Sequence, residues 1–180
     1  MDIQSQPQPA KLFVGILTAQ IDLIQRSRAP LQQHFGEIDA ESETFDFHWT
    51  DYYRDDMGPN LKRVFFGFDK TIEPGQITGI KITTNRLEAD FSKFPGAAVR
   101  RPINLDPGYL TAAKVVLATT KDYSHRVYLA DGIYAESTLH YHKGRWCHWP
   151  WTYPDYADGC YDPFFSQLRH QLAQTSPHLE

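Results

Sequence analysis

The chain has little sulfur. Two cysteines in 180 residues, Cys147 and Cys160, cannot build a disulfide framework. It has no run of 18 apolar residues, so no membrane span is expected. Residues 1–10 are polar, with Gln and Pro but no apolar signal core; they read as a disordered lead-in to a single α+β domain over residues 11–180. With nothing marking export, the cytoplasm is the expected compartment. Basic blocks are missing too: the densest is Arg100–Arg101, the formal charge is −4 and the pI is about 6.0. That balance disfavours a nucleic-acid partner. Internal repeats and low-complexity tracts are absent.

Several motifs with defined chemistry are also missing. No G-x-x-x-x-G-K-[ST] loop is present to wrap phosphates with backbone N–H groups, and no G-x-G-x-x-G fingerprint. Thr120-Lys121-Asp122 lacks the residue that separates Lys from Asp in the guanine-reading motif of GTPases. These absences argue against a P-loop GTPase. There is no G-x-S-x-G elbow, and the adjacent pairs Ser124-His125 and Cys147-His148 do not make a catalytic geometry. His140, His142, Cys147, His148 and Cys160 fit no standard zinc spacing. Zinc is disfavoured and no metal-ligand set is assigned.

What is present is ordinary globular material, 41% hydrophobic and 14% aromatic. Lys11–Leu17 is a continuous apolar run, the mark of a buried strand. A helical stretch follows, with Ile21, Ile24, Leu31 and Phe35 near one face and Gly36 past its end; Pro30 predicts a kink or a break into two helices. Glu43–Trp49 alternates as a half-buried strand. Thr50–Asn60 is a polar loop closed by Gly-Pro, and Leu61–Phe68 is the next strand. Ile77, Ile80, Thr84, Leu87 and Phe91 space as an amphipathic helix after Pro74. Pro95-Gly96 ends that connection, and Val99–Leu105 alternates again. The order β-α-β-β-α-β predicts a ferredoxin-like core. Thr111–Ala118 can be helix or strand. Around Ala130-Asp131-Gly132 a hairpin is expected, with a three-residue loop and Gly132 left-handed. That register puts Val127, Leu129, Ile133, Ala135 and Leu139 on one face, and Arg126, Tyr128, Tyr134, Glu136 and Thr138 on the other. Trp146–Tyr156 reads as irregular and Phe164–Leu172 as a C-terminal helix, completing a hairpin-and-helix extension.

The candidate site residues cluster beside these turns. Asn104 and Asp106 share a strand face before Pro107-Gly108. Lys121, His125 and Arg126 lie within six residues, the chemistry of an anion site. Glu136 can act as a general base or orient His125 or Arg126. Asp106 and Glu136 can move a proton, or hold Mg²⁺ through carboxylates and water. Tyr153, Asp155 and Tyr156, on a proline-fixed backbone, can wall a pocket against a flat ligand, and Tyr128 and Tyr134 share the face of Arg126. Asp51-Tyr52-Tyr53 is a weaker patch. Each has a structural alternative: Asp106 closing a turn, Arg126–Glu136 as a cross-strand ion pair, the tyrosines locking an irregular segment.

The strings K-L-F-V-G-I-L (11–17), T-D-Y-Y (50–53), M-G-P-N-L-K-R (57–63), N-L-D-P-G-Y-L (104–110), L-A-T-T-K-D-Y-S-H-R-V-Y-L (117–129), G-I-Y-A-E-S-T-L (132–139) and W-T-Y-P-D-Y (151–156) carry a resemblance. They resemble an uncharacterised bacterial family of small cytoplasmic proteins, classed as a domain of unknown function. Its members sometimes bear the label "GTP-binding protein", which the resemblance implies without supplying catalytic residues. The residues favour binding of a small anionic ligand, a nucleotide or sugar phosphate, with a divalent metal or catalysis as added options. The alternative is a non-catalytic module that docks a protein, or less readily RNA, on its sheet face. The aromatic C-terminal third is also compatible with a homo-oligomer.

Overall fold

The computed structural model describes residues 7–93 and 99–175. β1 (Ala10–Thr18) leads into α1 (Ile21–Phe35), β2 (Ile38–Glu41), β3 (Phe45–Asp46), the one-turn α2 (Arg54–Met57) and β4 (Lys62–Ile72). A 3-10 turn at Pro74–Gln76 opens α3 (Ile77–Phe91). Then come β5 (Asn104–Leu110), β6 (Lys114–Thr119), β7 (Val127–Ala130), β8 (Ile133–His142), β9 (Arg145–His148), α4 (Pro154–Ala157) and α5 (Asp162–Thr175). The strands form one nine-stranded antiparallel sheet. Its order is β2-β4-β1-β5-β6-β8-β7, with β3 also on β4 and β9 on β8.

Both sides of the sheet are covered. Leu12, Val14 and Ile16 of β1 pack with Leu23, Ile24 and Leu31 of α1 and with Ile77, Ile80 and Phe91 of α3. On the other side Phe13 and Phe65 pack with Tyr156 of α4 and Phe164, Phe165, Leu168 and Leu172 of α5. All nine residues of β1 are buried, so it reads as an apolar run and not as an alternation. Gly67 of β4 sets the docking of α5: a Cβ there would lie 2.6 Å from Leu168 Cδ2. The sheet face that a docking module would present is therefore occupied over β1 and β4. Among the described residues no helix is long and apolar enough to cross a membrane.

The α and β content follows the expectation, but the sheet is wider than a ferredoxin-like one and differs from it in order. Within Glu43–Trp49 only β3 is strand, and β2 comes before it. Pro30 neither ends α1 nor divides it into two helices; Gly36 closes that helix with its N–H on Gln32 O. Pro107-Gly108 makes no turn. Both lie inside β5, where the β6 ladder starts only at Gly108, so the proline's missing donor falls where β6 has not yet joined. Of the stretch 111–118, expected as helix or strand, residues 114–118 belong to strand β6. The hairpin loop is a two-residue Asp131-Gly132 turn with both φ values positive. A bulge between Tyr128 and Ala130 restores the register in which Val127 faces Ala135 and Tyr128 faces Tyr134. Val127 and Leu129 are exposed all the same, because β7 is an edge strand. The irregular segment contains β9 and α4. Ala10, expected in the lead-in, is buried in β1; residues 1–6 and Pro95-Gly96 lie outside the described residues.

Candidate functional site

A cavity of about 520 Å³ opens at the sheet end where β1 and β6 finish and β4 and β5 begin. Its walls come from the loop before α2, from β4, α3 and β5, from the segment joining β6 to β7, and from α4. That volume suits a small organic ligand.

The floor is an ion-pair cluster. Arg63 sits on the inward side of β4, two residues before Phe65, and is 4% exposed. Its Nη1 donates to Asp106 Oδ2 at 3.2 Å, and Nη2 lies 3.9 Å from Asp155. Lys81 reaches in from α3, donating to Leu105 O at 3.1 Å with Asp106 at 3.7 Å. Asn104 donates to Asp106 and accepts from Arg101, which also pairs with Glu88 at 2.9 Å. The reach from Arg63 to Asp106 crosses Gly15 of β1. A Cβ on Gly15 would stand 2.9 Å from the Phe65 ring and 3.3 Å from Arg63 Nη1.

This cluster orders the acidities. Burial pushes the Asp106 carboxyl up, but Lys81, Arg63 and Arg101 outweigh it and hold Asp106 below the usual carboxylate range. Asp155 goes the other way. Burial raises it, and Arg63 with the Tyr161 hydroxyl (3.2 Å) offsets only part of that. Burial also raises Glu88, against the opposing charges of Lys81 and Arg101. Two donors stay unused on the floor: Arg63 Nε and the Tyr156 hydroxyl are buried without a partner. Each such group costs roughly 1–3 kcal/mol.

The mouth is built differently. Glu136 of β8, 1% exposed, accepts from Arg126 Nε at 2.8 Å and from Thr138 at 3.3 Å, and stands 3.1 Å from His125 Nε2. Arg126 spends its other nitrogens on Lys121 O (3.1 Å) and the Tyr153 hydroxyl (2.6 Å), and its guanidinium lies 4.3 Å from the Tyr123 ring. Burial raises Tyr153 despite Arg126, so it remains a phenol. Lys121 Nζ donates to the Tyr52 hydroxyl at 3.0 Å. Among the described residues no carboxylate pairs with Lys121.

Asn104, Asp106, Lys121, Arg126, Glu136, Tyr153, Asp155 and Tyr156 thus come together around one cavity. His125 stands behind Glu136 instead of on the cavity wall. Its ring stacks on Trp151 (5.7 Å, 15°), which stacks on Trp149 (5.4 Å, 12°). Tyr128 and Tyr134 lie outside the cavity, edge to face on each other at 5.4 Å. The reason is β7: it is the sheet edge, and only Arg126, just before it, turns inward. Asp106 closes no turn, being inside β5, whereas Arg126 and Glu136 do form the ion pair. The weak patch at Tyr52-Tyr53 becomes a wall. Sequence reading missed Arg63, Lys81, Asn85, Arg101, Phe47 and Trp49. A signal existed for three of them: Arg63 alternates with the apolar residues of a buried strand, and Lys81 falls within the apolar stripe of α3, with Asn85 one turn further on.

Among the described residues no three His, Cys, Asp or Glu side chains converge as metal ligands. His140 and Cys147 are paired across β8 and β9, His140 packs against Trp149, and Cys160 lies near Asp155 O. Asp106 and Glu136 already accept from Arg63, Asn104, Arg126 and Thr138.

The profile of one family matches residues 8–172, and its description is a domain of unknown function, DUF4416. The chain belongs to that family. None of the curated proteins and none of the solved structures compared matches it.

Proposed function

We propose that the cavity binds a small organic anion with a flat ring, of the nucleotide or sugar-phosphate class. The carrying observation is the lining: five cations (Arg63, Lys81, Arg101, Lys121, Arg126) against three carboxylates (Asp106, Glu136, Asp155), beneath a wall of aromatic rings. The floor cations are neutralised by fixed carboxylates and Arg126, its side chain 1% exposed, by Glu136; that leaves Lys121 to meet a phosphate, with Arg126 bracing the Lys121 carbonyl behind it. Tyr52, Tyr53, Tyr123 and Tyr153 offer faces for a ring. Glu136 orients Arg126, and with His125 behind it has a route for a proton, so acid–base chemistry is compatible with the site. A divalent ion is an addition that this reading does not need. On the fold, we keep the ferredoxin-like reading for one part only: β2, β4, β1 and β5 are neighbours, with α1 after β1 and α3 after β4.

The test is a thermal-shift panel of nucleotides, GTP included, and sugar phosphates, each with Mg²⁺ or chelator. A ligand at about 100 times its dissociation constant stabilises by roughly 2.7 kcal/mol. The expected result is a shift for one phosphate-bearing class that is lost in Arg126→Ala. A flat panel sinks the proposal.

A further inference from the structure

The margins of the sheet are not guarded alike. An edge strand offers a row of unpaired N–H and C=O groups, which proteins blunt with charge, proline or a cover. β2 carries Asp39 and Glu41, paired with Lys11 and Arg28, and Gln171 of α5 donates to the Asp39 carbonyl. β3 carries Asp46, paired with Lys62, and β9 carries Arg145 and His148. β7 reads Val127-Tyr128-Leu129-Ala130, with no charge, no proline and all four residues exposed. A bulge is its one irregularity. Val127 is 67% exposed, Tyr128 57% and Leu129 39%. Trp151, 40% exposed, extends the strip: it donates to Ser137 O of β8, two positions beyond Ala135, the partner of Val127. None of these four large side chains lines the cavity.

We propose that β7 docks a second copy of this chain, β7 against β7, antiparallel about a two-fold axis. The ends of the strand fit that partner. Asp131, just past one end, is exposed, and among the described residues no cation pairs with its carboxylate. His125, just before the other end, turns Nε2 to Glu136, and among the described residues its Nδ1 has no hydrogen-bond partner. With Tyr128 on the axis, Val127 of one copy opposes Leu129 of the other, and Asp131 comes to the His125 end, carboxylate against imidazole. A parallel pairing would set Asp131 beside Asp131. A second copy has no other bare strand to offer, because β2, β3 and β9 carry charge. The contact therefore closes as a two-fold dimer and does not propagate.

The experiment is sedimentation velocity of the full chain across a dilution series. Wild type is expected to run as a dimer, at twice the 20.8 kDa of one chain, and to dissociate on dilution. The double variant Val127→Lys, Leu129→Lys should stay monomeric at every concentration while keeping a cooperative melting transition. Ile21→Lys, on an α1 residue 59% exposed, should leave the dimer intact. Tyr128→Cys should give a covalent dimer on oxidation, because directly opposed residues of an antiparallel pair come within disulfide reach. Wild type, with Cys147 and Cys160 only, should not. A wild type monomeric throughout, which would leave the edge to a strand of another protein, overturns the proposal. A dimer that survives the double variant, or Tyr128→Cys that does not cross-link, overturns it too.

Discussion

Asp106 and Glu136 both face an arginine across the same cavity, but their surroundings differ. Asp106 draws charge from β4, α3 and the segment before β5, and Arg63 and Lys81 have no water to fall back on. Glu136 and Arg126 lie ten residues apart on one hairpin, beside the His125 ring at 3.1 Å and a lysine whose amine donates to a phenol. The first cluster ties the sheet to its helix. The second fixes a buried arginine behind Lys121. Similar charges therefore carry stability in one place and, in the function proposed above, recognition in the other.

The comparison breaks most sharply at Asp106. Asp106→Ala leaves Arg63 and Lys81 buried without their counter-charge and is expected to cost about 3–5 kcal/mol in urea unfolding at pH 7. A cost under about 1 kcal/mol would mean that the floor is not the structural cluster. Arg126→Ala leaves Glu136, 1% exposed, without its guanidinium and should cost a similar amount, about 3–5 kcal/mol; the same variant should lose ligand-induced stabilisation. Lys121→Ala should leave stability within about 0.5 kcal/mol of wild type while lowering affinity for a phosphate-bearing ligand by about ten-fold.

Acidity sharpens the floor itself, because Asp106 and Asp155 meet the same guanidinium with opposite shifts. Asp106 sits below its unfolded value near 3.9. Its contribution is present above about pH 4 and lost as pH falls through the depressed value. Asp155 sits above that value, so its contribution is full below about pH 4 and lost as pH rises through the raised one. Urea midpoints at pH 3, 5 and 7 should show the Asp106→Asn deficit shrinking toward pH 3. Asp155→Asn should gain on wild type as the pH rises. Parallel profiles would contradict the assignment.

Much of the fold was legible because local rules governed it. β1 reads as buried since both its faces are covered, and α3 carries its stripe and its proline start. Pro107-Gly108 misled because a turn signal gives way when tertiary pairing encloses the segment on the β1 side. The breadth of the sheet, with β6 leaving β5 to pair with β8, is set by long-range pairing that no local pattern records. At the site, the residues from 104 to 156 were found because charged groups are dense beside strand ends. Tyr128 and Tyr134 were misplaced because sharing a strand face does not fix which part of that face reaches a cavity. Arg63 and Lys81 were missed because each is one charge in an apolar pattern, and its partner lies 43 or 25 positions away in the sequence.

The most direct measurement is a paired titration of wild type and Lys121→Ala with the nucleotide or sugar phosphate that gives the largest thermal shift, at fixed ionic strength, alongside urea unfolding of both proteins. The account predicts saturable binding to wild type, about ten-fold weaker binding to Lys121→Ala, and superimposable unfolding curves. Equal binding by the two proteins, or no binding by wild type, would contradict it.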